Sequence, residues 1–341
     1  MKTFDADSSF SRLKKADFDR TPKTPPKPTH VQRALEWTLF AVFGCTLALA
    51  GVALYATNQP EHQRVPNRIR AGIASDRVNV LLIGSSLRPR SGGDNDVRIE
   101  SLMLLSIQPS TGRAALMSFP VDLWVKVGRY GQRPLRAAHT VGDAAGYPGA
   151  GTGLTVDTME SIIDEPIHGY VRFSIGDVQR LVDAVGGVDV DVKQGVYEYR
   201  SKWRFRPGPA HLDGPKATRY AYSGAVAGVA ASNRFAREAR QQDVLLALLM
   251  KMMKRDHPES LGSVFGTLTA TNLTPRDTGM LMTSLRRGDD IRRISFAPYL
   301  DSFDVTSVAY RGEAVRPRSG NFGALQQMAD AALDAGVARV H

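Results

Sequence analysis

One run of twenty consecutive residues without a charged side chain, residues 37–56 (WTLFAVFGCTLALAGVALYA), constrains the chain more than any other feature. At a rise of about 1.5 Å per residue, a helix of this length crosses the hydrocarbon core of a bilayer. A cleaved signal peptide is the alternative, but both the basic region before the run and the run itself are longer than signal peptides require. The sequence therefore predicts a retained transmembrane helix at 34–56.

The charges on either side of this run predict its orientation. Residues 1–33 contain eight Lys and Arg, whereas only Arg64, Arg68 and Arg70 follow the run closely. By the positive-inside rule the short N-terminal part is cytoplasmic and the larger C-terminal part lies outside a cell membrane that the chain crosses once. The segment 21–30 (TPKTPPKPTH) is polar and rich in proline, so residues 1–33 are expected to form a disordered basic tail.

Composition excludes several classes of protein. The formal net charge is +10, but the excess is spread along the chain and no basic stripe for nucleic acid is visible. Cys45 is the single cysteine and lies inside the apolar run, so the C-terminal part has no disulfide and no thiolate site. Arginine greatly outnumbers lysine after residue 57, which suits phosphate binding but also follows from a GC-rich genome.

The C-terminal part has the pattern of a mixed α/β domain. Residues 57–75 are expected to be a linker and 76–335 a folded extracytoplasmic domain. The runs 78–84 (VNVLLIG), 101–108 (SLMLLSIQ) and 114–127 (AALMSFPVDLWVKV) predict buried strands, the third leaving the sheet at Pro120. The short turn 110–112 makes the second and third strands an antiparallel pair, and helical patterns follow. We therefore expect a mixed sheet flanked by helices.

A helix and a strand are predicted between 174 and 192. The segment 174–187 has helical apolar spacing and ends at Gly186 and Gly187. The next five residues, VDVDV, alternate strictly and predict a strand. Asp189 and Asp191 share one face of that strand, where solvated carboxylates are a better interpretation than metal ligands.

The segment beginning at Arg234 (RFAREARQQDVLLALLMKMMK) predicts a long helix. One continuous face carries polar residues near its start and apolar residues further on: Arg237, Arg240, Gln241, Val244 and Leu248. A surface helix with solvated arginines is the alternative. Because the arginines continue the apolar stripe, we favour a helix that presents them to a cavity.

Common catalytic patterns are missing. The sequence contains no GxxxxGK[ST], no HExxH and no GxSxG, which argues against a P-loop enzyme, a zincin and a serine hydrolase. Arginines and acids at strand ends, close to an apolar core, suit a ligand with a phosphate head and an apolar tail. A lipid-linked precursor is the natural candidate for a membrane-anchored domain.

Six ordered segments resemble motifs of the LytR-CpsA-Psr family. They are NVLLIGSSLR at 79–88, RIESLMLLSIQP at 98–109, SFPVDLWV at 118–125, LVDAVGGVDVDV at 181–192, GPAHLDGPKATRYA at 208–221 and RFAREARQQ at 234–242. Members of this family transfer glycopolymers from polyprenyl-pyrophosphate carriers to peptidoglycan or another envelope acceptor. The resemblance implies that activity, that lipid-linked glycan as ligand, and that acceptor.

The resemblance also implies a set of site residues. Those expected to bind the pyrophosphate are Arg88, Arg98, Arg237, Arg240 and Gln241. Glu100 stands at a position that helps to hold Mg²⁺, and Glu100 and Asp122 are the acids expected to take part in catalysis. Forked arginine donors are the side chains that two adjacent phosphates require.

Three positions depart from the family motifs. Ser86 replaces an aspartate that shares the metal, Val121 replaces an arginine next to Asp122, and Tyr222 replaces another arginine. A hydroxyl is a weaker Mg²⁺ ligand than a carboxylate. The second hypothesis is therefore a non-catalytic protein that binds lipid-linked glycan as an envelope scaffold or regulator. Arg90, Asp94 and Asp96, in the loop after the first strand, are candidate substitutes, although solvated side chains are the better interpretation.

Overall fold

The computed structural model describes residues 65–334, apart from 90–94, 199–201, 224–233, 255–269, 289–290 and 307–310. The predicted cytoplasmic tail and transmembrane helix lie outside the described residues, so both stay predictions. Among the residues described, no helix has the length and apolar character needed to cross a membrane.

The described residues form a series of strands and helices. The strands are β1 (Val78–Pro89), β2 (Asn95–Ile107), β3 (Ala114–Phe119), β4 (Trp124–Lys126), β5 (Gln132–Pro134), β6 (Gly169–Ser174), β7 (Val188–Val192), β8 (Val196–Glu198), β9 (Trp203–Phe205), β10 (Gly208–Leu212), β11 (Ala270–Thr271), β12 (Ile291–Ser295), β13 (Leu300–Thr306) and β14 (Arg311–Pro317). The α-helices are α1 (Ile69–Ala74), α2 (Ala137–Ala144), α3 (Ala150–Ile163), α4 (Ile175–Ala184), α5 (Gly214–Tyr222), α6 (Arg234–Lys254), α7 (Pro275–Leu285) and α8 (Gly323–Asp334). Short 3-10 helices occupy Gly128–Tyr130 and Ala297–Tyr299.

The central element is a six-stranded mixed sheet with the strand order β11-β6-β1-β2-β3-β12. Strands β1 and β6 are parallel, as are β3 and β12, whereas β2 is antiparallel to both of its neighbours. The predicted antiparallel pair is confirmed: Gly112 adopts a positive φ of 74° in the turn between β2 and β3, a conformation that glycine adopts without strain. Strand β3 ends directly before Pro120, as predicted.

Helices cover both faces of the sheet, so the domain has three layers. One core lies between the sheet and α4, α5 and α6, and includes Met103, Leu181 and Val244. The other lies between the sheet and α2, α3 and α8, and includes Leu104 and Met159. The apolar runs of β1 and β2 alternate between these cores, which explains why they are continuous in sequence.

The helix and strand predicted at 174–192 are both present. Ser174 and Asp177 form a capping box at the start of α4, and Gly186 and Gly187 follow its end with positive φ angles. Strand β7 buries its valines and exposes Asp189 and Asp191, as predicted.

The described part of the predicted linker packs against the domain. Val65 and Ile69 are buried in the two cores, and α1 begins at Ile69. The Asn67 side chain donates to the backbone oxygen of Asn272 at 2.7 Å and to Asp277 Oδ2 at 2.8 Å. The folded unit therefore includes residues from 65 onward.

Candidate functional site

A bulge in strand β2 builds one wall of the candidate site. Gly84 pairs with Ser101 but Ser85 pairs with Ile99, which leaves Glu100 as an extra residue. Bulges of this kind redirect side chains next to functional sites. Glu100 and the next residue, Ser101, both line the polar pocket described below.

Three of the predicted or substituted positions meet beside this bulge. Ser86 Oγ donates a hydrogen bond of 2.9 Å to Glu100 Oε1, and Arg98 Nε lies 3.5 Å from the same oxygen. Ser86 and Arg98 are opposite each other in the register of β1 and β2. The hairpin therefore brings one carboxylate, one hydroxyl and one guanidinium together.

Helix α6 provides the opposite wall. A polar pocket lies between it, the middle of β2 and the end of β3, and is lined from the helix by Arg237, Glu238 and Gln241. Arg237 Nε, Gln241 Nε2 and Ser118 Oγ are buried and have no hydrogen-bond partner among the residues the structure describes. Buried donors usually have partners, so these are the groups expected to bind a ligand.

An apolar cavity adjoins this polar pocket. It shares Ser101, Met103 and Gln241 with the polar pocket. Its remaining walls are mostly apolar and come from β6, α4, α5 and α6: Phe173, Val178, Leu181, Ala221, Tyr222, Val244, Leu245 and Leu248. Of the predicted face of α6, Arg237 lines the polar pocket, Val244 and Leu248 line the apolar cavity, and Gln241 lines both.

Tyr222 lies where the two compartments meet. Burial raises the pKa of Tyr222 to about 12, a hydrogen bond with Ser101 opposes this rise, and the charge of Glu100 adds to it. The phenol therefore stays neutral and supplies no cation where the family motif has an arginine.

Glu238 is the most perturbed carboxyl group of the polar pocket. Burial raises the pKa of Glu238 to about 8, against the opposing charges of Arg237 and Arg234. A carboxyl with such a pKa is largely protonated at neutral pH.

The structure places two predicted site residues elsewhere. Arg240 donates from Nε to the Tyr220 backbone oxygen and from Nη2 to that of Ser223, both at 2.8 Å, and so binds the C-terminal end of α5. Asp122 forms ion pairs with Arg136 and, at 3.7 Å, with Arg234. Neither residue lines the polar pocket formed by the described residues, and their contacts with a ligand stay predictions.

The loop after β1 is only partly described. Arg88 lies opposite Asp96 in the register of β1 and β2. The predicted substitutes Arg90 and Asp94 lie outside the described residues.

Sequence reasoning missed Glu238, Ser118, Arg136 and Arg234. Glu238 directly follows Arg237, and Ser118 begins the SFPVDLWV segment, so both were next to positions that had been singled out. The contacts that these four side chains make in the folded domain had no signal in the sequence.

Together, the fold and site define a three-layer α/β/α protein in which a polar pocket adjoins an apolar cavity. The LytR_cpsA_psr family model matches residues 46–299, and the chain belongs to this family.

Two named relatives agree with this membership. The chain is 31% identical over 164 residues to the polyisoprenyl-teichoic acid--peptidoglycan teichoic acid transferase TagU of Oceanobacillus iheyensis, covering 48% of each chain. It is 28% identical over 207 residues to TagU of Bacillus cereus, covering 59% of this chain and 62% of the relative. The chain therefore matches about half to three fifths of the length of these relatives.

Two solved structures share the fold. TagV of B. subtilis has a TM-score of 0.60 at 21% identity, over 77% of this chain and 99% of TagV. TagT with bound octaprenyl pyrophosphate has a TM-score of 0.54 at 20% identity, over 76% of this chain and 91% of TagT.

Proposed function

We propose that this protein transfers a glycopolymer from a polyprenyl-pyrophosphate carrier to peptidoglycan or another envelope acceptor. The observation that carries the proposal is the direct contact between the polar pocket and the apolar cavity, which share Ser101, Met103 and Gln241. A polyprenyl pyrophosphate has the same two parts, a doubly charged head and an apolar chain.

The names of similar proteins support this substrate class. TagU of O. iheyensis is named as a transferase of teichoic acid from a polyisoprenyl carrier to peptidoglycan. A TagT structure holds octaprenyl pyrophosphate. The proposal includes a single-pass membrane anchor at 34–56, with the folded domain on the extracytoplasmic side.

The predicted site residues have different roles in binding the pyrophosphate. Arg98, Arg237 and Gln241 are the donors for the pyrophosphate, and Arg88 is a further candidate on β1. Guanidinium groups in a water-poor pocket bind phosphate oxygens more strongly than they do in open solvent. Arg240 does not bind the head group in this scheme. It lies on α6 and holds the end of α5 against that helix.

The reaction is a substitution at phosphorus. An acceptor hydroxyl forms a bond to the sugar-linked phosphorus, and the bond from that phosphorus to the bridging oxygen breaks. The lipid phosphate leaves with the electron pair, and the hydroxyl proton is released to solvent. Arg237 and Arg98 would offset negative charge that develops on the phosphate oxygens.

Glu100 is the candidate protein ligand for Mg²⁺. The described residues contain no group of three or more His, Cys, Asp or Glu side chains that could hold a metal ion. One carboxylate with a neighbouring hydroxyl, Glu100 with Ser86, fits an ion whose other ligands are phosphates and water. Such an ion would supply further positive charge to the phosphate groups.

The first test measures binding and transfer with the full-length protein in lipid nanodiscs. We expect it to bind a polyprenyl-pyrophosphate-linked glycan and, with Mg²⁺, to transfer the glycan to peptidoglycan. Arg237→Ala removes a pocket donor and should weaken binding at least tenfold. Arg318→Ala, an exposed arginine paired with Asp301 at 2.8 Å, is the matched control.

The outcomes of this test are distinct. Binding without transfer in the presence of Mg²⁺ would favour the non-catalytic hypothesis and contradict the transferase. Unchanged binding in Arg237→Ala would show that the polar pocket does not hold the head group.

A further inference from the structure

Glu238 has no role in the binding scheme above, although it lies in the pocket wall. It lines the polar pocket together with Arg237 and Gln241 of the same helix, facing Glu100 and Ser101 of β2 and Ser118 of β3. An anion bound by Arg237 in this pocket would therefore be close to Glu238.

Among the described residues, no charged side chain forms an ion pair with Glu238. Arg234 directs its guanidinium to Glu313 at 2.7 Å and to Asp122 at 3.7 Å. Arg237 and Arg234 lie on the same helix as Glu238, the lining residues from β3 carry no charge, and Glu100 adds a second carboxylate from β2. A negatively charged Glu238 would repel a pyrophosphate, whereas a neutral one can donate a hydrogen bond to it.

We propose that Glu238 binds the pyrophosphate head as a neutral carboxyl group that donates its proton to a phosphate oxygen, so that ligand binding is linked to proton binding. This inference rests on the ligand class of the proposed function. Burial already raises the pKa of Glu238 to about 8 in the free protein. A bound anion raises the pKa further, because it makes the carboxylate still less favourable.

The direction of the pH effect follows from linkage. Below pH 8 Glu238 is mostly protonated in the free protein, so the ligand binds without a change in the charge of Glu238. Above pH 8 the fraction of protein that holds the proton falls about tenfold per pH unit, and the apparent affinity falls with that fraction. Ligand binding should therefore be about tenfold weaker at pH 9 than at pH 7.

The experiment titrates the full-length protein in nanodiscs with farnesyl pyrophosphate, in the absence of divalent cations, between pH 6.5 and 9.5. In Glu238→Gln the amide stays neutral and still donates, so its affinity should vary far less over this range, and the comparison cancels titration of the ligand itself. In Glu238→Leu the donor is lost, so binding should be weaker than in Glu238→Gln at every pH.

Glu165→Gln is the matched control, because Glu165 pairs with Arg77 at 3.6 Å and does not line the pocket. It should keep the wild-type pH dependence. Calorimetry in buffers of different ionisation enthalpy gives a second measurement that needs no variant. It should show close to one proton taken up per ligand at pH 9 and little uptake at pH 7.

Two results would overturn the inference: equal pH dependence in wild type and Glu238→Gln, or no proton uptake at pH 9. Either result leaves the transferase proposal standing if transfer is observed. Conversely, proton-linked binding without transfer would contradict the transferase proposal and support the proposed role of Glu238.

Discussion

Glu100 owes its position to a single extra residue in strand β2. In a regular strand successive side chains alternate between the two faces of the sheet, and the bulge interrupts this alternation at Glu100. Glu100 and Ser101 both line the polar pocket. Gly84 pairs with Ser101 on one side of the bulge, and because it has no side chain the Ser101 hydroxyl can approach it closely.

Gly84→Ala tests this close approach. An added Cβ would overlap the Ser101 hydroxyl and lie 3.3 Å from Phe173 Cε2. We expect the free energy of unfolding to fall by about 1–3 kcal/mol, and ligand binding to weaken because Ser101 lines both compartments. Urea unfolding and ligand titration measure the two effects.

Gly279→Ala is the matched control within helix α7. No described atom lies within 4 Å of its added Cβ, so the variant should gain about 0.5–1 kcal/mol from the higher helix propensity of alanine. A Gly84→Ala protein as stable as wild type would show that the bulge tolerates a side chain.

At the scale of elements, helix α6 joins the two compartments and is itself fixed to α5. Its first turns present Arg237, Glu238 and Gln241 to the polar pocket, and Val244 and Leu248 line the apolar cavity. Arg240 holds the carbonyl oxygens of Tyr220 and Ser223 at the end of α5. This places Tyr222, between those two residues, at the junction of the compartments.

Arg240→Met and Arg237→Met should separate stability from binding. Arg240→Met leaves two backbone oxygens without their donor, which should lower the free energy of unfolding by about 2–4 kcal/mol. Arg237→Met should change stability far less and weaken ligand binding far more, because Arg237 Nε has no partner among the described residues. Chemical unfolding and ligand titration of both variants measure this. Equal losses of stability in the two variants would contradict this division of roles.

At the scale of the whole molecule, a polar cluster fixes the point where the chain enters the domain. Asp277 accepts hydrogen bonds from Asn67 and from the backbone nitrogen and hydroxyl of Thr274, at 2.6–2.8 Å. It thereby joins the start of α7 to the segment before α1. Burial alone would raise the pKa of Asp277, but hydrogen bonds from Thr274 and Asn67 lower it below its usual value.

Protonation of Asp277 at acid pH should weaken its hydrogen bonds with Asn67 and Thr274. A carboxyl whose pKa is lower in the folded than in the unfolded state contributes stability above the unfolded pKa of about 3.9, and that stability is lost as the pH falls through the folded value. Asp277→Asn should therefore lower the free energy of unfolding by about 1 kcal/mol at pH 7 and reduce the loss of stability between pH 5 and pH 2. Urea unfolding across this range is the measurement, and an unchanged acid profile in the variant would contradict the assignment.

The sequence by itself determined the mixed sheet, the antiparallel pairing of β2 with β3, the end of β3 at Pro120 and the amphipathic face of α6. Each of these depends on local chemistry: apolar runs, a short turn, a proline without an amide hydrogen, and helical spacing. Six ordered motifs likewise identified the family, and the match over residues 46–299 confirms it.

Only the tertiary structure decided which polar residues share the pocket. Helical spacing puts Arg237, Arg240 and Gln241 on one broad face, but it does not say that α5 covers Arg240 while β2 and β3 leave Arg237 and Gln241 facing a pocket. The pKa of Glu238 likewise depends on burial beneath strands more than a hundred residues away in sequence. Desolvation and partner choice arise from contacts between distant segments, and a local pattern carries no information about those contacts.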